Sequence, residues 1–321
     1  MPHDHDGHDH HGGSGHNHGH SHGIGHSHAP ADFARAFAIG VGLNTAYLAA
    51  EAFWGFSVHS VALLADAGHN LGDVVSLLGA WLASRLSKRG PSAGYTYGLR
   101  RTSILAALAN AIILLVATGA ISWEAIRRMI TPEPTRGLVI VAVGLAGVVV
   151  NGVTAWLFMS GRKVDLNIRA AFVHMAADAS LTLGVAIAGG VIMVTGWERL
   201  DPAVSLVIAV VIVVGTWGLL RDSVNLSLDA VPPGIDQDEV ERYLRGLPGV
   251  AEIHDLHIWG LSTTETALTV HLVRTEAGSD GELLHRIARE MRDRFEIGHA
   301  TVQLETPQAA RLCELRPDNV V

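Results

Sequence analysis

The chain has 321 residues, of which 49% are hydrophobic and only 17% are charged. Soluble domains carry about 25% charged residues, so this composition argues against an ordinary soluble enzyme. The net charge of −8 and the single cysteine, Cys313, argue against a nucleic-acid partner, a disulfide framework and a CxxC metal site.

Residues 1–32 are predicted to form a disordered, histidine-rich tail. Eleven of the 19 histidines fall between His3 and His28, interleaved with Gly, Ser and Asp. The segment has too few apolar residues to fold alone. An expression tag is the alternative, although tags are usually unbroken runs of histidine. Histidine-rich tracts of low complexity are typical of loose metal binding.

Residues 33–222 are predicted to form a membrane domain of six helical spans. A bilayer core of about 30 Å requires about 20 apolar residues in a helix. Stretches of that length occupy about 34–57, 60–86, 103–126, 138–159, 169–195 and 203–220. Buried helices of a soluble protein are the alternative, but almost no stretch shows an amphipathic stripe.

The basic residues near the span ends predict the orientation. With the N-terminus inside, ten lysines and arginines fall on the inner side and four on the outer side, the latter including the pair Arg127 and Arg128. This bias predicts an inner-membrane protein with both termini in the cytoplasm.

Residues 231–308 are predicted to be a small α+β domain, followed by a tail at 309–321. Asp236 and Asp280 are placed to cap helices, and residues 251–260, 266–273 and 299–305 alternate as strands do. The order helix, strand, strand, helix, strand is that of an open-faced sandwich.

The pattern His-x-x-x-Asp occurs twice inside predicted spans, as His69 with Asp73 and as His174 with Asp178. Residues four apart share one face of a helix, so two facing helices would supply two nitrogen and two oxygen ligands. That set suits tetrahedral zinc. An unpaired aspartate at mid-bilayer costs about 2.5–3.5 kcal/mol, which a bound dication would offset. Hydrogen bonds between the two helices are the alternative reading.

The two histidines lie at different depths in their predicted spans. Counted from Arg85 and Arg169, the depths of His69 and His174 differ by about 16 Å at 1.5 Å per residue, so the helices are staggered or the second projects into the cytoplasm. Asp66 lies on nearly the same face as His69. It is a candidate for orienting His69 or for a step on the ion pathway, and a helix-end residue is the equal alternative. Glu51 is a second pathway candidate.

The predicted strands also carry histidines. In a regular strand His254 shares a face with Leu256 and Ile258, whereas His257 points the other way, so these two histidines are not expected in one site. A cluster of His271 with Glu305, joined by His254 or His299, is a candidate zinc site. Ordinary strand histidines with local hydrogen bonds are the alternative.

Four motifs resemble those of the cation diffusion facilitator family, and the resemblance covers about residues 33–308. They are Leu-Leu-Ala-Asp-Ala-Gly-His-Asn-Leu-Gly-Asp at 63–73, Tyr-Thr-Tyr-Gly at 95–98, Ala-Phe-Val-His-Met-Ala-Ala-Asp at 171–178 and His-Asp-Leu-His-Ile-Trp at 254–259. The resemblance implies a homodimeric exporter with six spans and a cytoplasmic ferredoxin-like domain, which exchanges a divalent metal for protons.

Carried onto this chain, the resemblance assigns a transport site and points to a second site. The transport site falls on His69, Asp73, His174 and Asp178, and the cytoplasmic site on His254, His271 and Glu305. Histidine and aspartate on both helices are typical of the zinc and cadmium branch. Two features depart from the pattern of the family. Many members carry a histidine-rich loop between spans four and five, whereas the histidine-rich segment is N-terminal here. Some members have Asp and His ligands between spans two and three, whereas residues 87–100 contain no His, Asp or Glu, so no metal site is predicted there.

The sequence therefore predicts a proton-coupled antiporter in the lipid bilayer that exports Zn²⁺ by alternating access, without an organic cofactor. Cadmium, cobalt or nickel are further candidate cargoes. A metal receptor that does not transport is one alternative. An intramembrane zinc hydrolase is another, although the chain lacks an HExxH motif, and it also lacks the GxxxxGK(S/T) loop of ATP-driven proteins.

Overall fold

The computed structural model describes residues 31–87, 89–159, 166–275 and 280–315. Within these ranges six long helices precede a small domain of three strands and three shorter helices. The predicted histidine-rich tail lies outside the described residues except for its last two positions, and residues 316–321 of the predicted C-terminal tail also lie outside them.

Each predicted apolar stretch is a helix. The helices are α1 (Ala31–Ser57), α2 (Val61–Ser87), α3 (Thr102–Ile130), α4 (Gly137–Met159), α5 (Leu166–Thr195) and α6 (Leu200–Ser227). Helix α6 continues to Ser227, past the apolar stretch that ends at Leu220. The polar residues that follow can extend the helix because its backbone N–H and C=O groups pair with each other whatever the side chains are.

Four of these helices are long and apolar enough to cross a membrane by length and composition. The qualifying stretches are Thr102–Ile130, Gly137–Leu157, Phe172–Thr195 and Leu200–Ser227. Helices α1 and α2 are not among them, and α2 carries Asp66, His69 and Asp73 in its first half. They pack against the other helices, α1 on α4 and α2 on α3 and α6. The membrane domain is thus helical, and α2 carries three of its ionisable residues in its first half.

The helical domain has polar residues inside and apolar residues outside. Glu51 and Asn151 are fully buried, whereas Val116 and Trp123 on α3 are largely exposed and Val214 on α6 is 71% exposed. Large contiguous apolar surfaces are rare on soluble monomers. This inverted distribution is the one a lipid bilayer stabilises.

Side chains from other helices fix the turn between α1 and α2. The Asp201 carboxylate on α6 accepts hydrogen bonds from the Ser60 hydroxyl and, at 2.8 Å, from the Val61 amide. The Arg128 guanidinium donates to the His59 carbonyl and, at 2.7 Å, to Glu124. Arg128 therefore holds a helix turn and pairs with a carboxylate, which explains its place on the side predicted to be poor in basic residues.

The C-terminal domain places helices on one face of a three-stranded sheet. Its elements are α7 (Gln237–Arg245), β1 (Val250–Gly260), β2 (Thr266–Arg274), α8 (Asp280–Asp293), β3 (His299–Glu305) and α9 (Pro307–Ala310). Strand β2 is central, antiparallel to β1 and parallel to β3. The Asp236 carboxylate accepts from the amides of Asp238 and Glu239, which confirms its predicted capping role.

Strand β1 contains a bulge at Asp255, whose φ is 53°. His254 lies opposite His271 and His257 lies opposite Thr269, so three steps along β1 match two along β2. Such a two-against-one count is the definition of a β-bulge. Both histidines of β1 therefore lie on the same face of the sheet as His271.

The predicted faces of β1 are consequently wrong. Ile253 and Ile258 both pack in the core, although residues five apart in a regular strand lie on opposite faces. His254 therefore does not share a face with Leu256 and Ile258, and it does share one with His257. The extra residue shifts the alternation by one position, which a regular-strand argument cannot detect.

The segment between α2 and α3 contacts the C-terminal domain. Arg100 forms a 2.6 Å ion pair with Glu265 in the turn between β1 and β2, whereas Arg101 pairs with Asp229, which lies between α6 and the C-terminal domain. The Tyr97 ring meets the His299 ring edge-on, with centroids 5.4 Å apart. The helix that carries His69 and Asp73 thus continues directly into a segment that docks on the sheet.

Candidate metal centres

Helices α2 and α5 bring the four predicted transport-site residues together. His69 Nε2 lies 3.2 Å from Asp178 Oδ1, and His174 Nε2 lies 3.1 Å from Asp73 Oδ2. His174 Nε2 is also 3.7 Å from Asp178 Oδ2, and the two imidazole centroids are 6.3 Å apart. Each imidazole therefore pairs with a carboxylate on the opposite helix.

These distances suit a tetrahedral ion. Bonds of about 2.0–2.2 Å to nitrogen and oxygen place two ligands of a tetrahedron about 3.3–3.6 Å apart. Ligand atoms of His69, Asp73 and Asp178 all lie within 4.8 Å of one another. His174 approaches the same carboxylates from α5, so a small inward shift of the side chains would close the shell around one dication.

The staggering of the two helices is what aligns the histidines. His69 lies eighteen residues before the end of α2, whereas His174 lies eight residues after the start of α5. The ten-residue offset corresponds to about 15 Å at 1.5 Å per residue. Since the imidazole centroids are nevertheless 6.3 Å apart, the two helix ends are offset from each other along the helix axes.

Accessibility changes sharply across this site. The exposed fraction of the side chain is 44% for His174, 34% for Asp73, 22% for His69 and 3% for Asp178. Asp73 lies nearer than His69 to the end of α2, and His174 lies nearer than Asp178 to the start of α5. The site is therefore exposed toward these two helix ends and buried on the side of Asp178, here called the closed side.

A second group of buried polar side chains lies on the closed side. Glu51 on α1 is fully buried and accepts hydrogen bonds from Tyr47 Oη at 2.7 Å and from Asn70 Nδ2 at 3.1 Å. Asp66 is also buried, and its Oδ2 has no hydrogen-bond partner among the described residues. His69 Nε2 bonds to Asp178 rather than to Asp66, so an orienting role for Asp66 stays a prediction.

A second cluster lies on the sheet face away from the core. His271 Nδ1 lies 3.1 Å from Glu305 Oε1, and the His254 and His271 rings meet edge-on at 5.1 Å. Cys313, which the sequence analysis did not consider as a ligand, places its Sγ 3.7 Å from His271 Nδ1. Ligand atoms of all four residues lie within 4.8 Å of one another.

Neighbouring side chains orient this cluster. Gln303 Nε2 donates to Glu305 Oε1 at 2.8 Å, and Asp255 Oδ2 approaches His271 Nε2 at 3.5 Å. Asp255 Oδ1 also contacts His257 Nε2 at 2.8 Å. A carboxylate on the outer nitrogen of a ligating histidine is a common support in metal sites. Of the two residues proposed to complete the cluster, His254 joins it, whereas His299 contacts Tyr97 instead.

Comparison with known families and proteins agrees with both halves of this architecture. The chain matches the cation efflux transmembrane domain over residues 37–226 and the cytoplasmic domain of cation efflux proteins over residues 232–307. The first match contains the four transport-site residues, and the second contains His254, His271 and Glu305 but ends before Cys313.

Curated relatives match over most of their own length. The zinc transporter ZitB of Escherichia coli is 37% identical over 274 residues, covering 85% of this chain and 87% of that protein. The metal cation efflux system protein CzcD of Cupriavidus metallidurans is 34% identical, covering 86% and 88%. A cadmium, cobalt and zinc/H(+)-K(+) antiporter of Bacillus subtilis is 34% identical, covering 82% and 86%.

Among solved structures, the metal-bound C-terminal domain of the CzcD transporter from Cupriavidus metallidurans is 40% identical. It covers 22% of this chain and 99% of that domain, with a TM-score of 0.21. The family matches and the curated relatives describe metal transporters and not enzymes. The chain therefore belongs to the cation efflux family, also called the cation diffusion facilitators.

Proposed function

We propose that the protein exports Zn²⁺ from the cytoplasm across the inner membrane in exchange for protons, by alternating access around His69, Asp73, His174 and Asp178. Cadmium, cobalt and nickel are further candidate cargoes. The proposal extends the family assignment, since the related zinc transporter and the related antiporter are named for such cargoes and for coupling to H⁺.

The observation that carries this proposal is the crossed pairing of imidazoles with carboxylates. Ligands must be deprotonated to bind a metal, so metal entry releases protons. With Zn²⁺ bound, two carboxylates balance the dication. With the metal gone, protonation of both imidazoles balances the same two carboxylates. The site is then neutral in both states, and one Zn²⁺ exchanges for two protons.

Neutrality matters because charge inside a bilayer is expensive. A single uncompensated charge near the membrane centre costs about 2.5–3.5 kcal/mol on insertion scales. A site with a net charge in either its metal-bound or its protonated state would add that free energy to one half of the transport cycle. The described geometry supports a cycle that avoids this barrier, because each imidazole already lies 3.1–3.2 Å from its carboxylate.

The accessibility of the site supports an inward-facing state. Exposure is greatest at His174 and Asp73, on the side of the C-terminal domain, and least at Asp178. Zn²⁺ would enter from the cytoplasm along this open side. The bundle would then close there and open on the side of Asp66 and Glu51, where buried carboxylates would receive the leaving ion or the entering protons.

The remaining segments would act around this site. The C-terminal domain would hold two copies together and bind cytoplasmic metal at His254, His271 and Glu305. The family match describes a cytoplasmic domain there, which supports this placement. The histidine-rich tail would concentrate metal near the entrance. Lipid surrounds the exposed apolar faces of the helices.

Reconstituted vesicles test the proposal directly. Purified protein is inserted into vesicles that contain a zinc-sensitive dye, and the interior is made more acidic than the exterior. We expect Zn²⁺ entry to depend on the pH gradient and to dissipate it. Because the exchange is neutral, clamping the membrane potential with K⁺ and valinomycin should leave the rate unchanged.

The matched variants are Asp178→Asn in the site and Asp222→Asn at the end of α6. Asp222 forms an ion pair with its neighbour Arg221 within the described residues. The first variant should lose gradient-driven flux and the second should keep it. Zinc binding without flux in the unmodified protein would identify a receptor and contradict the transport proposal. A rate that changes with membrane potential would contradict the neutral stoichiometry.

A further inference from the structure

The cytoplasmic cluster contains a fourth donor from outside the sheet. His254, His271 and Glu305 project from three adjacent strands, whereas Cys313 belongs to the segment that follows them. Its Sγ lies 3.7 Å from His271 Nδ1, on the side of the ring that also contacts Glu305. The four donors thus converge on one point from two different parts of the fold.

Local structure brings the cysteine back to the sheet. Thr306 caps α9 by accepting a hydrogen bond from the Ala309 amide, and Pro307 occupies the first turn. Ala310 is buried, and the Cys313 amide donates to its carbonyl at 3.3 Å. The chain therefore reverses just after β3 and lies across the open face of the cluster.

The cluster has buried polar atoms that lack partners. Both ring nitrogens of His254 and Oε2 of Glu305 make no hydrogen bond within the described residues, although the residues are only 5% and 7% exposed. His254 Nε2 and Glu305 Oε2 approach to 3.4 Å without forming a hydrogen bond. An unsatisfied buried polar group costs about 1–3 kcal/mol. One cation at the centre would satisfy these atoms together.

The donor set determines which cation fits. Two neutral imidazoles, one carboxylate and one thiolate carry two negative charges, which balance a dication. A thiolate selects soft ions such as Zn²⁺ and Cd²⁺, whereas carboxylate and carbonyl sites suit Mg²⁺ and Mn²⁺. Four protein ligands with no open position are typical of structural zinc sites. The transport site, by contrast, has only nitrogen and oxygen donors and must release its ion.

We propose that Cys313 is the fourth ligand of a closed zinc or cadmium site with His254, His271 and Glu305, and that metal binding fastens the segment 306–315 to the sheet. The proposal rests on the cytoplasmic metal site described under the proposed function, but it does not depend on transport. A closed site of this kind suits metal sensing, since a thiolate ligand favours Zn²⁺ and Cd²⁺ over hard cations.

Alkylation of the cysteine tests this assignment in the full-length protein. The chain contains one cysteine, so a single mass increment on treatment with iodoacetamide reports Cys313 alone. We expect saturating Zn²⁺ to slow the alkylation roughly tenfold or more, since the free thiolate is the nucleophile. His271→Ala should abolish the protection. His174→Ala, which alters only the transport site, should retain it.

A spectroscopic measurement gives an independent result. With Co²⁺ as the probe, the unmodified protein should show thiolate-to-cobalt charge-transfer absorption, and Cys313→Ser should lose this band. Alkylation that Zn²⁺ does not slow, or protection that persists in His271→Ala, would overturn the assignment of Cys313. Protection without vesicle flux would sustain it and contradict only the antiporter.

Discussion

Replacement of the most exposed transport-site ligand, His174→Ala, should weaken metal binding without unfolding the protein. Structural zinc sites bind with about 10–16 kcal/mol, which is about 2.5–4 kcal/mol for each of four ligands. Loss of one ligand therefore corresponds to roughly a 10²–10³-fold loss of affinity. His69, Asp73 and Asp178 would remain within 4.8 Å of one another, so weak binding should persist.

The assay is zinc uptake into vesicles at fixed pH over a range of Zn²⁺ concentrations. The half-saturating concentration of the variant should rise by this factor, and flux at low zinc should vanish. His285→Ala is the matched control, since His285 lies exposed on α8. A variant with unchanged half-saturation would show that the ion crosses elsewhere, and the crossed pairing would then have no role in transport.

Three further outcomes are expected, two from the packing of the membrane domain and one for the histidine-rich tail. Gly147→Ala should lower the unfolding free energy in detergent by about 1–3 kcal/mol, because its new Cβ would clash with Tyr47 Oη and lie 2.6 Å from Thr182 Cγ2. Gly152→Ala on the same helix meets nothing within 4 Å and should be neutral. Asp201→Ala should lower the unfolding free energy, measured by thermal unfolding in detergent, by about 1–3 kcal/mol, because it leaves two buried hydrogen-bond donors unpaired. Asp222→Ala should leave it unchanged. Equal melting temperatures of the two variants would contradict the role of Asp201 in fixing the turn between α1 and α2. Deletion of the histidine-rich tail should leave the maximal zinc flux largely intact, and a collapse of that maximal rate would assign the tail to the transport step itself.

Much of this architecture follows from local sequence. Apolar runs of bilayer length locate the six long helices to within a few residues at most ends. A helix is expected there because it pairs all backbone N–H and C=O groups of an apolar segment within the segment itself. The repeated His-x-x-x-Asp spacing identifies residues that the structure brings together, since a helix places such pairs on one face. Which helices face each other could not be read from spacing, and here it depended on the resemblance.

The sequence failed where the chain departs from regular geometry. The bulge at Asp255 reverses the expected relation of His254 and His257, and a left-handed residue of this kind has no reliable signal when it is not glycine. Cys313 was missed for a different reason. A single cysteine without a nearby partner in sequence gives no metal motif, and only the reversal of the chain after β3 brings it to His271.

The contacts of Tyr97 and Arg100 with the C-terminal domain couple that domain to α2, one of the two ligand-bearing helices. Exposed ion pairs such as Arg100 with Glu265 are each worth about 0–1 kcal/mol, so the few contacts together reach on the order of 1–2 kcal/mol. A difference of that size changes the ratio of two conformations about 5–30-fold. When α2 tilts, the C-terminal domain must either move with it or lose these contacts. The rigidity of that domain therefore helps to set the rate at which the helical bundle changes conformation.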